Sequence, residues 1–186
     1  MLDSLLQLDR DLALAINGHH APWLDSVMIF LSLKHTYVFY LPIAWLIMRK
    51  SSWKEAGIVV LGAIATVAVD DLVSTRIFKY NVARLRPCHE PSLQGLLNLP
   101  DGCGGQFGFI SSHAANHFGL AMFLGLMFCR HYPGKLAYFF IFPVLVIYSR
   151  VYLAAHYPGD VICGGFLGVI VGGLFYKLFT RWLKPI

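Results

Sequence analysis

The 186-residue sequence is poor in charge. Asp, Glu, Lys and Arg make up 13% of it, against about 25% in an ordinary soluble domain. Hydrophobic residues make up 57%. The deficit excludes a normal soluble surface and points to a chain whose outer face meets lipid. Low-complexity tracts, Gly/Ser linkers and internal repeats are also missing, so 1–186 reads as a single domain. No CxxC pair occurs, and the four cysteines lack zinc-site spacing. The N-terminus has neither the basic start nor the unbroken apolar core of a signal peptide. The net charge of +5 is scattered or gathered in small polar clusters, which excludes a nucleic-acid-binding stripe and leaves anionic lipid as the better partner.

What is present is a series of apolar runs. A membrane-spanning helix needs about 20 mostly apolar residues. Five candidates lie within 23–48, 55–78, 113–129, 136–154 and 158–183. Lys34 and His35 interrupt the first, which predicts a short helix followed by a spanning one. The expected fold is all-α, a polytopic membrane bundle of about five spanning helices. Ahead of it, Leu5, Leu6, Leu8, Leu12, Leu14 and Ile16 are spaced by Asp3, Asp9, Arg10 and Asp11, as in an amphipathic helix at the interface.

Three polar clusters border these runs. "KYNVARLRP" (79–87) offers Lys79, Arg84 and Arg86 just beyond the second run. Arg binds phosphate through a planar fork and Lys as a point charge. "SSH" (111–113) opens the third run. Its serines suit a helix N-cap, whose free N–H groups form an anion site, but capping does not explain His113. "SRVYLAAHYPGD" (149–160) places Pro158 at a helix start and Asp160 in the first turn. There Asp160 can meet His156, fix its tautomer and leave the other ring nitrogen as a directed lone pair. Arg150 ends the preceding run, and a charged Arg at membrane depth points to function. Alternating topology brings all three clusters to one face. Two histidines, one Asp, several cations and two helix N-termini share an obvious ligand, a phosphate ester.

These motifs resemble the type 2 phosphatidic acid phosphatase (PAP2) superfamily, whose pattern is Lys-x6-Arg-Pro, Pro-Ser-Gly-His and Ser-Arg-x5-His-x3-Asp. Lys79, Arg86 and Pro87 match the first part; Ser149, Arg150, His156 and Asp160 match the third. The middle part departs, because Ile110-Ser111-Ser112-His113 keeps the Ser and His and loses the Pro and Gly. The resemblance implies a six-helix membrane core. It implies His156 as nucleophile, Asp160 as its orienting group and His113 as the acid for the leaving oxygen. It implies Lys79, Arg86, Ser111, Ser112 and Arg150 as phosphate ligands. Arg84 lies outside the pattern and is a candidate for a second phosphate. No metal or other cofactor is expected, because the cations already supply the charge and no carboxylate cluster is present.

A lipid phosphate or diphosphate in the membrane is the expected substrate. Undecaprenyl diphosphate is the first choice; phosphatidylglycerophosphate and lipid A are the alternatives. An anion-selective transporter is the reading from a different class, but its cations would have to line a path through the bilayer. A vanadate haloperoxidase would be soluble. Arg49, Lys50, Lys54, Arg130, Lys135, Lys177, Arg181 and Lys184 gather on one side. With Lys79, Arg86 and Arg150 set aside as functional, the positive-inside bias puts that side in the cytoplasm. The expectation is a multi-pass protein of the bacterial inner membrane with its site facing the periplasm or exterior. Cys88 and Cys103 bracket the outward loop, as a disulfide or as two free thiols. Asp70 and Asp71 are expected to pair with Arg76 or Lys79, or to sit near the outer headgroups.

Overall fold

The computed structural model describes residues 2–181 and Leu183; Lys184 of the basic set lies outside the described residues. Among them the secondary structure is helical, with α1 (Leu2–Gly18), α2 (Pro22–Ser32), α3 (Leu41–Met48), α4 (Trp53–Leu72), the single turn α5 (Tyr80–Val82), α6 (Ser112–Cys129), α7 (Ile141–Tyr152) and α8 (Pro158–Thr180). The turns that start α2 and α8 carry proline, whose missing N–H has no partner there in any case. Ser52 caps α4 by accepting from the Glu55 N–H. A 3-10 turn, Lys34–Tyr40, links α2 to α3 where Lys34 and His35 break the apolar run.

By length and apolar character, Trp53–Val82 and α8 can each cross a membrane, and α2 with Lys34–Met48 can form a third span bent by 71°. Two or three helices thus meet the length and composition of a span on their own among the described residues, beside the five apolar runs of the sequence. α6 does not qualify alone because its first half carries Ser112, His113, Asn116 and His117. Polarity is tolerated there because most of α6 is buried in protein and only a few positions could reach lipid. Leu136–Tyr152 falls short in length, and its last turns carry Ser149 and Arg150.

α6 and α8 form the centre and share the most extensive helix contact in the molecule. Gly164, Gly168 and Gly172 of α8 lie directly on α6. A Cβ added at Gly164 would come 2.5 Å from the Ser111 carbonyl oxygen. One at Gly168 or Gly172 would overlap the carbonyl oxygens of Ala115 or Gly119. Small residues every four positions let two membrane helices meet backbone to backbone. Phe123, Leu124, Met127, Val59 and Ile47 fill the core beside this seam.

α1 packs across α7 and α8 through buried Ala13 and Asn17, and leaves Leu5, Leu6, Leu8 and Leu12 exposed, as expected of a helix at the lipid interface. The Asn17 amide donates to the Asn98 and Tyr152 carbonyls (2.8 and 2.7 Å) and accepts from the Asn98 N–H (2.9 Å). At one end of the bundle Arg130 Nε pairs with Glu55 (3.0 Å), and Lys50 lies over the Tyr132 ring. The other end is covered by the stretch between α5 and α6. A disulfide joins Cys88 to Cys103 across that stretch, which decides between the two sequence readings. The free cysteines are Cys129 and Cys163.

Candidate active site

α4 does not pass straight into α5. Between them Val73–Lys79 winds as a π-helix. Ser74 and Lys79 are five residues apart, so an α-helix at about 100° per residue would turn them about 140° from each other. The wider i→i+5 turn brings both to one side. Ser74 Oγ donates to Ser112 Oγ at 2.8 Å, and Lys79 Nζ donates to the same oxygen at 3.1 Å. α5 ends at Ala83, whose φ of 49° turns the chain sharply toward Arg84 and Arg86.

Ser111 caps α6, its hydroxyl accepting from the Ala114 N–H (3.4 Å). Its own N–H donates to the Asp160 carbonyl (3.0 Å), which ties the start of α6 to the start of α8. The Ser112 and His113 N–H groups belong to the first turn of α6 and have no partner within the helix. They point positive charge density out of the helix end, toward an anion. Arg150, buried near the end of α7, donates to Ser32 Oγ of α2, while its Nε has no partner among the described residues. Arg86 donates from Nε to the Phe107 carbonyl (3.2 Å).

His156 is buried just ahead of α8, with Nδ1 3.6 Å from Asp160 Oδ2. The same Asp160 oxygen accepts the Tyr157 N–H at 3.0 Å. Gly108 closes the other side. A Cβ there would lie 2.9 Å from Asp160 Oδ2, 3.2 Å from Arg86 Cγ and 3.5 Å from His156 Nδ1, so only glycine leaves room. Burial first, and then Arg150, Arg86 and Lys79, hold the His156 imidazole well below the usual histidine range. It is therefore neutral at pH 7, with a lone pair available. His113, half-buried, lies within electrostatic range of Arg150, His156 and Lys79.

The structure thus gathers the three sequence clusters at one end of the bundle. Lys79, Arg86, Ser112, His113, Arg150, His156 and Asp160 surround one place. Arg84 departs from the expectation. Its guanidinium spans two carboxylates, Nη1 to Asp160 Oδ1 at 2.8 Å and Nη2 to Asp9 Oδ2 at 2.7 Å, which leaves no free fork for a second phosphate. The expected pairing of Asp70 also fails. It is fully buried against Gly119 and Thr66, and neither carboxylate oxygen has a hydrogen-bond partner among the described residues. Consecutive helical residues point about 100° apart, and it is exposed Asp71 that lies toward Lys79. Ser74, Asp9, Ser32 and Gly108 were not read from sequence. Each is a common residue type whose partner lies tens of positions away. Cys88, His89 and Cys103 lie close enough together to suggest a metal, but two of those sulfurs are spent in the disulfide.

A cluster of cations, helix N–H groups and a neutral histidine at the end of a membrane bundle defines an oxyanion-handling site in lipid. The match to the PAP2 superfamily model over residues 55–184 makes the class specific: the chain belongs to the PAP2 superfamily and is a membrane lipid phosphatase. It is 36% identical to the lipid A 4'-phosphatase of Porphyromonas gingivalis, over 98% of this chain and 79% of that one. It is 35% identical to the lipid A 4'-phosphatase of Bacteroides thetaiotaomicron, over 95% and 79%. Identity to the undecaprenyl-diphosphatase BcrC of Bacillus subtilis is 27%, over 92% and 83%. In fold it is similar to the crystal structure of a transmembrane PAP2 type phosphatidylglycerolphosphate phosphatase from Bacillus subtilis. The TM-score is 0.69 at 24% identity, covering 97% of this chain and 88% of that one. LpxE of Aquifex aeolicus gives a TM-score of 0.63 at 21% identity, covering 90% and 93%.

Proposed function

We propose that this protein removes a phosphate monoester from a glycolipid of the lipid A type, through a phosphohistidine, at a site facing the periplasm. The observation that carries the lipid reading is a continuous lining. An apolar groove of about 590 Å³ runs between α3, α4 and α6 along Leu41, Ala44, Val60, Ile64 and Leu124. A polar pocket of about 360 Å³ beside it is lined by Lys34, Asp71, Ser112, His113 and Asn116. Tyr37, Val67 and Ala68 line both. A lipid can thus keep its chains in the groove while its phosphate reaches Ser112. Each CH₂ kept out of water contributes about 0.8 kcal/mol.

Two features favour lipid A over the undecaprenyl diphosphate preferred from sequence. The relatives named lipid A 4'-phosphatases are 36% and 35% identical, against 27% for the undecaprenyl-diphosphatase. Arg84, the cation assigned to a second phosphate, is held by Asp9 and Asp160.

In this mechanism His156 Nε2 attacks phosphorus as the bond to the leaving oxygen breaks, and His113 gives that oxygen its proton. Water, deprotonated by His113, then attacks the phosphohistidine and frees phosphate and His156. Lys79, Arg86, Arg150, Ser111 and the first turn of α6 stabilise charge on the equatorial oxygens. Asp160 keeps the proton of His156 on Nδ1. The Arg49, Lys50, Lys54 and Arg130 end supports the orientation, because basic loops favour the cytoplasm.

The test is phosphate release by purified protein in mixed micelles of lipid A, undecaprenyl diphosphate or phosphatidylglycerophosphate. The highest kcat/KM is expected on lipid A, and a clear preference for either of the others overturns that choice. Ala68→Trp, at the junction of groove and pocket, is expected to raise KM for the lipid and to spare a short soluble phosphate ester. Equal effects on both would remove the groove from the argument.

A further inference from the structure

Arg84 does more than pair with one carboxylate. It comes from the turn after α5, and its guanidinium bridges α1 and α8. One nitrogen meets Asp160 Oδ1 at 2.8 Å, and the other meets Asp9 Oδ2 at 2.7 Å. Its guanidinium carbon lies over the Tyr157 ring, 4.1 Å from the centroid. Asp9 uses its second oxygen as well, accepting the Gly159 N–H at 2.7 Å in the first turn of α8. The Arg84 backbone is also fixed, because its carbonyl accepts the Gly108 N–H at 2.8 Å, and Gly108 is the residue packed against His156 and Asp160.

The two oxygens of Asp160 therefore have separate duties. Oδ2 faces the Tyr157 N–H and His156 Nδ1, and Oδ1 takes Arg84. With Oδ1 bound to one Arg84 nitrogen and Oδ2 to the Tyr157 N–H, the carboxylate is restrained about its χ2 bond, and Oδ2 is kept beside the imidazole, 3.6 Å from Nδ1. Arg84 is itself braced. The Tyr157 ring lies against the guanidinium, and Asp9 holds its far end. Side-chain exposure along the bridge is 13% for Asp9, 21% for Arg84 at its centre and 0% for Asp160, so the end nearest His156 is the one best shielded from water. An isolated surface ion pair contributes little, whereas a charge-assisted hydrogen bond to a fully buried carboxylate, braced at its far end by a second carboxylate, is stronger.

We infer that Arg84 is a positioning residue that acts through Asp160 on the nucleophilic histidine, and that Asp9 makes the N-terminal helix α1 a working part of the active site. The inference rests on the proposed roles of His156 and Asp160. It assigns Arg84 no contact with the substrate and Asp9 no contact with phosphate.

The experiment measures kcat, KM and inhibition by inorganic phosphate for wild type, Arg84→Gln, Arg84→Lys, Asp9→Asn, Asp160→Asn and the double variant Arg84→Gln/Asp160→Asn. Melting temperature is followed in parallel. Arg84→Gln is expected to lower kcat by about tenfold to a hundredfold with KM and the phosphate inhibition constant within about twofold of wild type, the pattern of an interaction realised in the transition state. Arg84→Lys should recover only part of the loss, because an ammonium cannot span both carboxylates. Asp9→Asn, which keeps the fold of α1 and loses one charge, should lower kcat severalfold. In the Asp160→Asn background, Arg84→Gln should add little, because groups that act as one unit are not additive. A raised KM or phosphate inhibition constant with kcat unchanged would return Arg84 to phosphate binding and overturn the inference. Full, independent losses from Arg84→Gln and Asp160→Asn would overturn it too, as would wild-type kcat in both Arg84→Lys and Asp9→Asn should Arg84→Gln fail to fold. If Asp160→Asn alone retains wild-type kcat, the fault lies in the proposed mechanism and not in the clamp.

Discussion

Reducing the Cys88–Cys103 disulfide is expected to disable the enzyme without unfolding the bundle. The bond closes a segment with a sequence separation of 15. For a loop of about 15 residues, the chain-entropy model assigns about 3 kcal/mol to such a closure. At about 1.4 kcal/mol per factor of ten, losing it raises the population of opened loop by roughly a hundredfold. The loop matters because of what hangs from it. The Cys88 N–H donates to the Ala154 carbonyl at 3.2 Å, which anchors the loop just past α7 and two residues before His156. Arg86 bonds through its N–H to the Gln106 carbonyl (3.0 Å), and Gly108 packs on His156 and Asp160. An opened loop therefore withdraws Arg86, a proposed phosphate ligand, and uncovers His156 together. The assay has three parts: thiol counting under denaturing conditions, limited proteolysis of 88–106, and kcat/KM before and after reduction. Two thiols per chain should label before reduction, from Cys129 and Cys163, and four afterwards. Cleavage within the loop should rise, and kcat/KM should fall at least tenfold while the helical signal stays constant. Labelling of four thiols without reduction, or full activity in fully reduced protein with an unchanged cleavage rate, would refute the reasoning.

The histidine assignments predict that His156→Ala abolishes both turnover and phosphoenzyme trapping, while His113→Ala slows substrates with poor leaving groups most; equal losses across good and poor leaving groups would remove the distinction. Because the His156 imidazole is held below the usual histidine range, it is neutral above about pH 6.5 and its protonation in acid opposes the folded state. Stability should fall as pH drops below that value, and less so in His156→Asn, as read by melting temperature; kcat/KM against pH should be bell-shaped. Activity should persist in EDTA, and complete loss restored by a divalent ion would contradict a reaction driven by side-chain cations alone. Gly168→Leu, which drives a side chain into the Ala115 carbonyl, should destabilise the protein by about 1–3 kcal/mol or more and lower activity in proportion, whereas Ile170→Leu on the exposed face of α8 should do neither.

The helical membrane class, the interfacial N-terminal helix and the meeting of the three polar clusters were legible because each rests on local pattern. Apolar runs, cap residues and Pro158 need no knowledge of distant partners. Alternating topology then brings the ends of successive runs together. The number of spans was less legible, because hydropathy cannot tell a helix that faces lipid from one such as α6 that is enclosed by its neighbours. Arg84 was misread for a related reason. A cation two residues before Arg86 resembles another phosphate ligand until Asp9, 75 positions away, is found on its far side. Asp70 was misread because a sequence gives no phase to the π-helical turn that follows it. Ser74 left no signal for the same reason, since only that turn puts it beside Lys79.

The glycine seam between α6 and α8 has a mechanical consequence. Ser111 and Asp160 stand on opposite sides of it, joined by one hydrogen bond at its upper end. The gap between the two halves of the proposed catalytic apparatus is therefore set by contact between main chains, with no long side chain in between to flex. A bilayer that thickens or thins makes helices tilt. In this molecule the α6–α8 pair is the fixed post, and α1 is tied to it by the Asp9–Gly159 hydrogen bond and the Arg84 bridge. The bilayer then has little purchase on the spacing of Ser111 and Asp160, which follows from the backbone contacts at Gly164, Gly168 and Gly172.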